Sequence, residues 1–153
     1  MAWVSANKNH AVPRDYPFLD MRYPCPIKYK GRIFPSAENA YQSTRFSDPA
    51  VIEKFRYMLP DTAAYKGSAM KTTVKNWADI REEILYKILL EKFKPKGMLE
   101  KLRALDYDVI ICENNRHDND LGVCTCPACR MRGNDLAGKA MTKILMNIRA
   151  RKR

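Results

Sequence analysis

A mainly helical α+β fold, one domain carrying a few short strands, is what this sequence predicts. Two observations carry that expectation. Apolar residues recur at three- and four-residue spacing over long stretches, whereas strand-like alternation lasts only a few residues at a time. The chain of 153 residues, 46% hydrophobic and 29% charged, suits one globular core rather than a disordered polymer.

Residues 1–17 are polar and interrupted by Pro13 and Pro17, which predicts a loosely tethered N-terminal arm. Between Pro24 and Pro35, Ile27 and Tyr29, then Arg32 and Phe34, alternate around Lys30-Gly31, as in two short strands joined by a turn. Ser36 suits the N-cap of a helix over 37–46. Asp48-Pro49 opens a second helix, the acid as cap and the proline at the first helical position. Val51, Ile52, Phe55 and Leu59 are expected on its apolar face. The longest helix is predicted over 74–93, where Trp77, Ile80, Ile84, Leu85, Ile88 and Leu89 form a buried stripe. Pro95 and Gly97 stop it, and a short helix over 98–105 follows. Tyr107 to Cys112 reads as one buried strand. A polar stretch from Glu113 to Gly133 lacks any period, and a last helix over 135–149 is expected with Asn134 as its cap. No repeat or linker divides the chain, so the expected layout is an arm (1–17), a domain (18–149) and a basic tail (150–153).

The formal charge is +11, from 28 Lys plus Arg against 17 Asp plus Glu, a balance that draws polyanions such as nucleic acid or dinucleotides. Part of the excess, Arg149 to Arg153, reads equally well as a solvated tail. No run approaches the roughly 20 apolar residues that span a bilayer, and the N-terminus lacks a signal-peptide profile. A cytoplasmic protein without membrane partners is expected. Five cysteines, an odd count, argue against a disulfide framework.

Glu113, Asp118 and Asp120 fall close together directly after the predicted strand, whose end can aim them at a cleft. Glu38 falls in the first turn of a helix, near backbone N–H groups that can hold phosphate oxygens. Cleaving a glycosidic bond builds positive charge on the sugar ring, and positioned carboxylates stabilise it. The same acids also suit surface or capping roles. Cys124, Cys126 and Cys129 bring three thiols together, with His117 shortly before them. Tetrahedral zinc takes four N or S ligands. The loop therefore suits a structural zinc completed by His117, Cys112 or Cys25, or else three reduced thiols. Such a zinc would brace the acidic loop, and the chemistry itself is expected to require no cofactor.

An ordered set of motifs adds to this reading: FLDMRYPCPI (18–27), PSAENAYQ (35–42), RFSD (45–48), KNW (75–77), LLEKF (89–93), ENNRHDNDLG (113–122), RGN (132–134) and KILMNIR (143–149). In order and spacing the set resembles the NADAR (YbiA-like) N-glycosidase family over residues 18–149. The resemblance implies a mainly α fold with a cleft for a ribosyl nucleotide, and hydrolysis of N-glycosidic bonds. Substrates of the family include ADP-ribose attached to guanine bases and phosphorylated riboflavin precursors. Carried over by position, Glu38, Glu113 and Asp118 are the implied catalytic core. Arg45, Trp77, Asn39, Tyr41 and Asn134 are the implied substrate-binding residues, although Trp77 also suits a purely apolar core role.

Several positions depart from the family pattern. Asp20-Met21-Arg22 replaces Ser-Asn-Phe, Asn39 replaces a His, and Leu121 replaces the Trp of the acidic loop. Arg45 stands where the family carries Lys before Phe. An amine can form a Schiff base with an opened ribose and a guanidinium cannot. Lys28, Lys30 and Lys66 are conceivable stand-ins, while Arg45 remains able to grip a pyrophosphate bidentately. Three readings follow: an N-glycosidase acting on ADP-ribosyl-guanine in nucleic acid or on a related ribosyl nucleotide, an inactive ADP-ribose- or nucleotide-binding module, or a basic nucleic-acid-binding or assembly protein. The last would show steeply salt-dependent binding without hydrolysis.

Overall fold

The computed structural model describes residues 9–151. They gather into two compact units: residues 21–95 form a central unit, and the described residues up to Asp20 join those from Lys96 onward in a terminal unit. No linker was legible because neither crossing is one. The first falls inside the Phe18–Ile27 motif and the second at Pro95-Lys96, where a helix begins.

In the central unit, β1 (Ile27–Tyr29) and β2 (Arg32–Phe34) form the expected antiparallel pair, with Ile27 opposite Phe34 and Tyr29 opposite Arg32. Lys30 (φ 47°) and Gly31 (φ 81°) make the turn, the left-handed pair that a two-residue hairpin requires. Helix α1 (Ala37–Ser43) starts at Ser36, whose Oγ accepts the Asn39 N–H at 3.2 Å, and all of its residues are buried. Helix α2 (Pro49–Lys54) is capped by Asp48 as predicted, but it buries no residue. Phe55, just beyond it, is 0% exposed, whereas Leu59 is 74% exposed. The chain turns after Phe55, and Leu59 becomes the N-cap of a helix not anticipated from the sequence, α3 (Pro60–Ala69).

Helix α3 buries only Ala63 and Gly67, two small residues that register as no apolar stripe. Their smallness is the point. A Cβ on Gly67 would lie 2.1 Å from Gln42 Oε1, so only glycine lets α3 approach α1 here. Helix α4 (Trp77–Lys92) buries Trp77, Leu85, Ile88, Leu89 and Lys92, with Ile80 and Ile84 half-buried. It begins later than predicted because the Thr73 and Val74 amides are held by the Arg45 carbonyl, each at 3.0 Å.

The terminal unit contains a 3-10 turn (Pro17–Leu19), α5 (Lys96–Arg103), β3 (Glu113–Asn114), β4 (Val123–Cys124) and α6 (Leu136–Arg151). The single buried strand expected over 107–112 is corrected. Val109 is 42% exposed, and the ladder at Ile110 is one parallel bridge to Ala11. Ala11 N–H donates to the Val109 carbonyl (2.9 Å), and Ile111 N–H donates to that of Ala11 (3.0 Å). Strand β3 then pairs in parallel with β4. The described part of the expected loose arm is thus packed: His10, Ala11 and Val12 are buried. Residues 1–8 of that arm, and 152–153 of the expected tail, lie outside the described residues.

Helix α6 buries Leu136, Ala137, Met141, Ile144, Leu145 and Ile148 on one face, each large apolar side chain contributing roughly 1.5–3 kcal/mol. Its cap is shifted by one residue from the prediction. Asp135 (φ 50°) accepts the Cys112 N–H at 2.9 Å and the Gly138 N–H, whereas Asn134 points to Asp120. Arg149, expected in a solvated basic run, donates to the carbonyls of Leu105 and Tyr107 and to Asp108. No helix among the described residues is long and apolar enough to cross a membrane.

Candidate functional site

The predicted site residues divide between the two units. In the central unit, Glu38 is 2% exposed and accepts from Gln42 Nε2 at 2.7 Å, with Arg22 Nε 4.0 Å away. Gln42 Oε1 in turn accepts from Arg45 Nε at 2.7 Å. The Arg45 guanidinium lies over the Trp77 ring, 4.1 Å from its centroid, and also reaches Thr72 Oγ1. Trp77 donates its indole N–H to Thr44 (2.9 Å) and packs on Tyr41, with ring centroids 5.4 Å apart. Glu38, Arg45, Trp77 and Tyr41 are therefore brought into one chain of contacts, linked by Gln42.

Local structure bears on the expectations here. Two first-turn amides of α1 are already used, Glu38 N–H by the Met21 carbonyl and Asn39 N–H by Ser36, which leaves this helix end less free to hold phosphate. Asn39 is fully buried, its amide group donating to the carbonyls of Phe55 and Met58 and accepting from Ser36. It braces the turn between α2 and α3. Tyr41 is 1% and Trp77 6% exposed, so both rings lie in the packed interior of the unit.

In the terminal unit, Glu113 pairs with His10: Nε2 and Oε2 are 2.8 Å apart, with side chains 5% and 4% exposed. The other carboxylate oxygen, Oε1, is buried without a hydrogen-bond partner. An unmatched buried carboxylate oxygen is costly, which makes it a place for a water or a ligand hydroxyl. Glu113 lines a cavity of about 250 Å³ together with Arg14, Asp20, Asn114, Arg116 and Thr125, and Arg116 lies 3.6 Å from the Asp20 carboxylate. Two guanidiniums, an amide and two carboxylates suit a charged sugar or phosphate. A larger cavity of about 580 Å³, in the central unit, is walled by Pro24, Pro26, Phe34, Pro35 and Tyr57 and contains no carboxylate.

Asp118 is half-buried, and its Oδ1 accepts the amides of Asp120 (3.1 Å) and Leu121 (3.0 Å). That is a turn-closing arrangement, which engages one carboxylate oxygen in holding the acidic loop. Asn134 is exposed and donates to Asp120 at 3.1 Å. Burial pushes the Asp135 carboxyl up to about 6, opposed by the Cys112 and Gly138 amides. His117, Cys124, Cys126 and Cys129 place their ligating atoms within 4.8 Å of one another, so this cluster can hold a metal ion. Cys112 is apart from it, its Sγ 4.0 Å from the Leu19 carbonyl, and Cys25 belongs to the central unit.

Two functional candidates escaped the sequence. His10 lay in the expected loose arm, and no local pattern ties it to Glu113, 103 residues away. Lys92 is 1% exposed, 5.9 Å from the Tyr23 ring centroid, and is the one buried lysine among the described residues. A signal for it existed: it continues the Leu85, Ile88, Leu89 face of α4. The three stand-in lysines, Lys28, Lys30 and Lys66, are all exposed.

Comparison with known proteins brings three findings. A family model described as NADAR domain matches residues 7–152. The N-glycosidase YbiA of Escherichia coli K12 is 30% identical over 95 residues, 61% of this chain and 59% of that protein. This chain thus aligns with about three-fifths of the length of the curated relatives it first matches. A riboflavin biosynthesis protein of Vibrio vulnificus is 33% identical over 103 residues, 66% of this chain and 28% of its own length. The NMR structure of E. coli YbiA superposes with a TM-score of 0.75 over 99% of this chain and 95% of that one, at 21% identity, a likeness of fold.

Proposed function

Because the chain belongs to the NADAR domain family, we propose that it is an N-glycosidase hydrolysing an N-glycosidic ribose bond. The substrate class we favour is ADP-ribose attached to guanine in nucleic acid, or a related ribosyl nucleotide. The relatives named N-glycosidase support the reaction class, and the net charge of +11 supports a polyanionic substrate.

The observation that carries the proposal is Glu113, buried, bound to His10 through one oxygen and unmatched at the other, in a cavity lined by Arg14 and Arg116. The negative charge of Glu113 beside the cavity stabilises the positive charge that develops on ribose as the C–N bond lengthens and its electron pair leaves with the base. Glu113 with His10 then takes a proton from the water that attacks the anomeric carbon, and a proton is returned to the departing base. His10 supplies the proton carrier lost at Asn39. Arg14 and Arg116 hold phosphate oxygens. Glu38 positions Gln42 and Arg45 within the central unit, and no cofactor enters the reaction.

The test is incubation with an oligonucleotide bearing ADP-ribosyl-guanine and, separately, with a phosphorylated riboflavin precursor, products being read by mass spectrometry. Release that Glu113→Gln abolishes is expected; release unchanged in that variant rejects the assignment of Glu113. One observation favours a second reading, the inactive ADP-ribose-binding module. Arg45, where the family carries Lys, is fixed between Gln42, Thr72 and Trp77 and can bind but not attack. Tight ADP-ribose binding with no release from either substrate would decide for it.

A further inference from the structure

We infer that residues 117–129 form a structural zinc centre with His117 Nδ1 and the thiolates of Cys124, Cys126 and Cys129 as its four ligands. The geometry is that of a tetrahedron around an ion. The His117 Nδ1 atom lies 3.4 Å from Cys129 Sγ, 3.5 Å from Cys126 Sγ and 3.8 Å from Cys124 Sγ. On tetrahedral zinc, with bonds of about 2.3 Å to sulfur and about 2.0–2.1 Å to nitrogen, the two atom types stand roughly 3.6 Å apart. Hydrogen bonding does not account for the arrangement. A single imidazole nitrogen has one proton or one lone pair to offer, yet three sulfurs converge on it.

The surrounding backbone is shaped for the same purpose. The Cys126 and Cys129 pair forms a knuckle in which the Cys129 N–H donates to Cys126 Sγ at 3.3 Å, and Asn119 Nδ2 approaches Cys129 Sγ at 3.6 Å. Both contacts fix where the two sulfurs point. His117 (φ 64°), Arg130 (φ 53°) and Met131 (φ 64°) adopt left-handed backbone without being glycine, a conformation kept only where the surroundings enforce it. Asn114 Oδ1 accepts the amides of Arg116 (3.0 Å) and Asp118 (3.1 Å), fixing the residues on either side of His117. The ladder between Cys124 and Arg132 closes the thiol loop. Three sulfurs and one nitrogen in a closed tetrahedral set select zinc and leave no open position for substrate.

The ion shares supports with the cavity at Glu113, since Asn114, Arg116 and Thr125 line that cavity and flank the ligand loop. The zinc is therefore a positioning element, and its presence does not depend on whether the chain turns substrate over. Metal analysis of full-length protein purified without chelator should give one zinc per chain, and X-ray absorption at the zinc edge should give three sulfurs and one nitrogen. Cys126→Ser and His117→Ala, at ligands that are not fully buried, should lose most of the bound metal. Less than about half an equivalent in the parent protein, a shell of other composition, or full metal retention in both folded variants overturns the assignment. These readouts use no substrate, so their failure is separate from that of the glycosidase reading.

Discussion

Each unit buries one glutamate, and the two carboxylates are treated differently. Glu38 of the central unit is held by Gln42, with Arg22 alongside, in a helix whose every residue is buried. Glu113 of the terminal unit has one oxygen on His10 and the other unmatched, beside a polar cavity. Burial alone is thus no mark of chemistry. What separates the two is whether the protein has left a lone pair over.

The sharpest way to break this comparison is the pair Glu113→Gln and Glu38→Gln. The first should lower kcat/KM by roughly 10²–10⁴-fold, the scale of general acid–base catalysis, while leaving unfolding unchanged, because the amide still meets His10. The second should cost about 1–3 kcal/mol of stability, the penalty for disrupting a buried polar network, with a smaller effect on turnover. Kinetics and denaturant unfolding of both variants, with the roles found reversed, would end the distinction.

Asp135 offers the next largest effect. Its carboxyl holds a proton up to about 6 in the fold, against 3.8 ordinarily, so the native state binds more protons between those values. Stability supplied by this group therefore falls as pH rises through that window, by about 3 kcal/mol in all, and stays low above it. Asp135→Asn keeps an acceptor for the Cys112 amide and should remove the dependence, seen as a pH-dependent gap between the two unfolding curves.

Gly67→Ala tests the central unit alone. The added methyl meets Gln42 Oε1, which is fixed between Glu38 and Arg45, and the expected destabilisation is about 1–3 kcal/mol. Combining it with Gln42→Ala should recover part of that loss; strictly additive losses would place the clash elsewhere. The smallest effect is expected for Arg45→Lys, which forfeits the stack over Trp77, about 0.5–1 kcal/mol, and should leave turnover unraised. A gain in turnover would return the Schiff-base role to this position.

Legibility followed the range of the interactions. The hairpin at Lys30-Gly31 and the caps Ser36 and Asp48 were readable because each is decided within four residues. Helix α3 was not, since Ala63 and Gly67 act by being small. The strand at 107–112 was misjudged because its partner, Ala11, comes from almost a hundred residues earlier. Motif order singled out Glu38 and Glu113 but could not show how differently they are held, one by Gln42 and the other by His10 with an oxygen left unmatched. The thiol cluster was readable in both ligand type and membership, His117 being the expected fourth ligand, because all four residues fall within thirteen positions of one another.

The bridge from Ala11 to Ile110 also sets a timetable. During synthesis, all of residues 21–95 leave the ribosome before the terminal unit can begin to close, and Arg149, which grips Leu105 and Tyr107, arrives later still. Closing a loop of that length carries an entropic cost that a local hairpin avoids. The His10 and Glu113 pair is therefore assembled among the last contacts of the chain, after every residue of the central unit has been made.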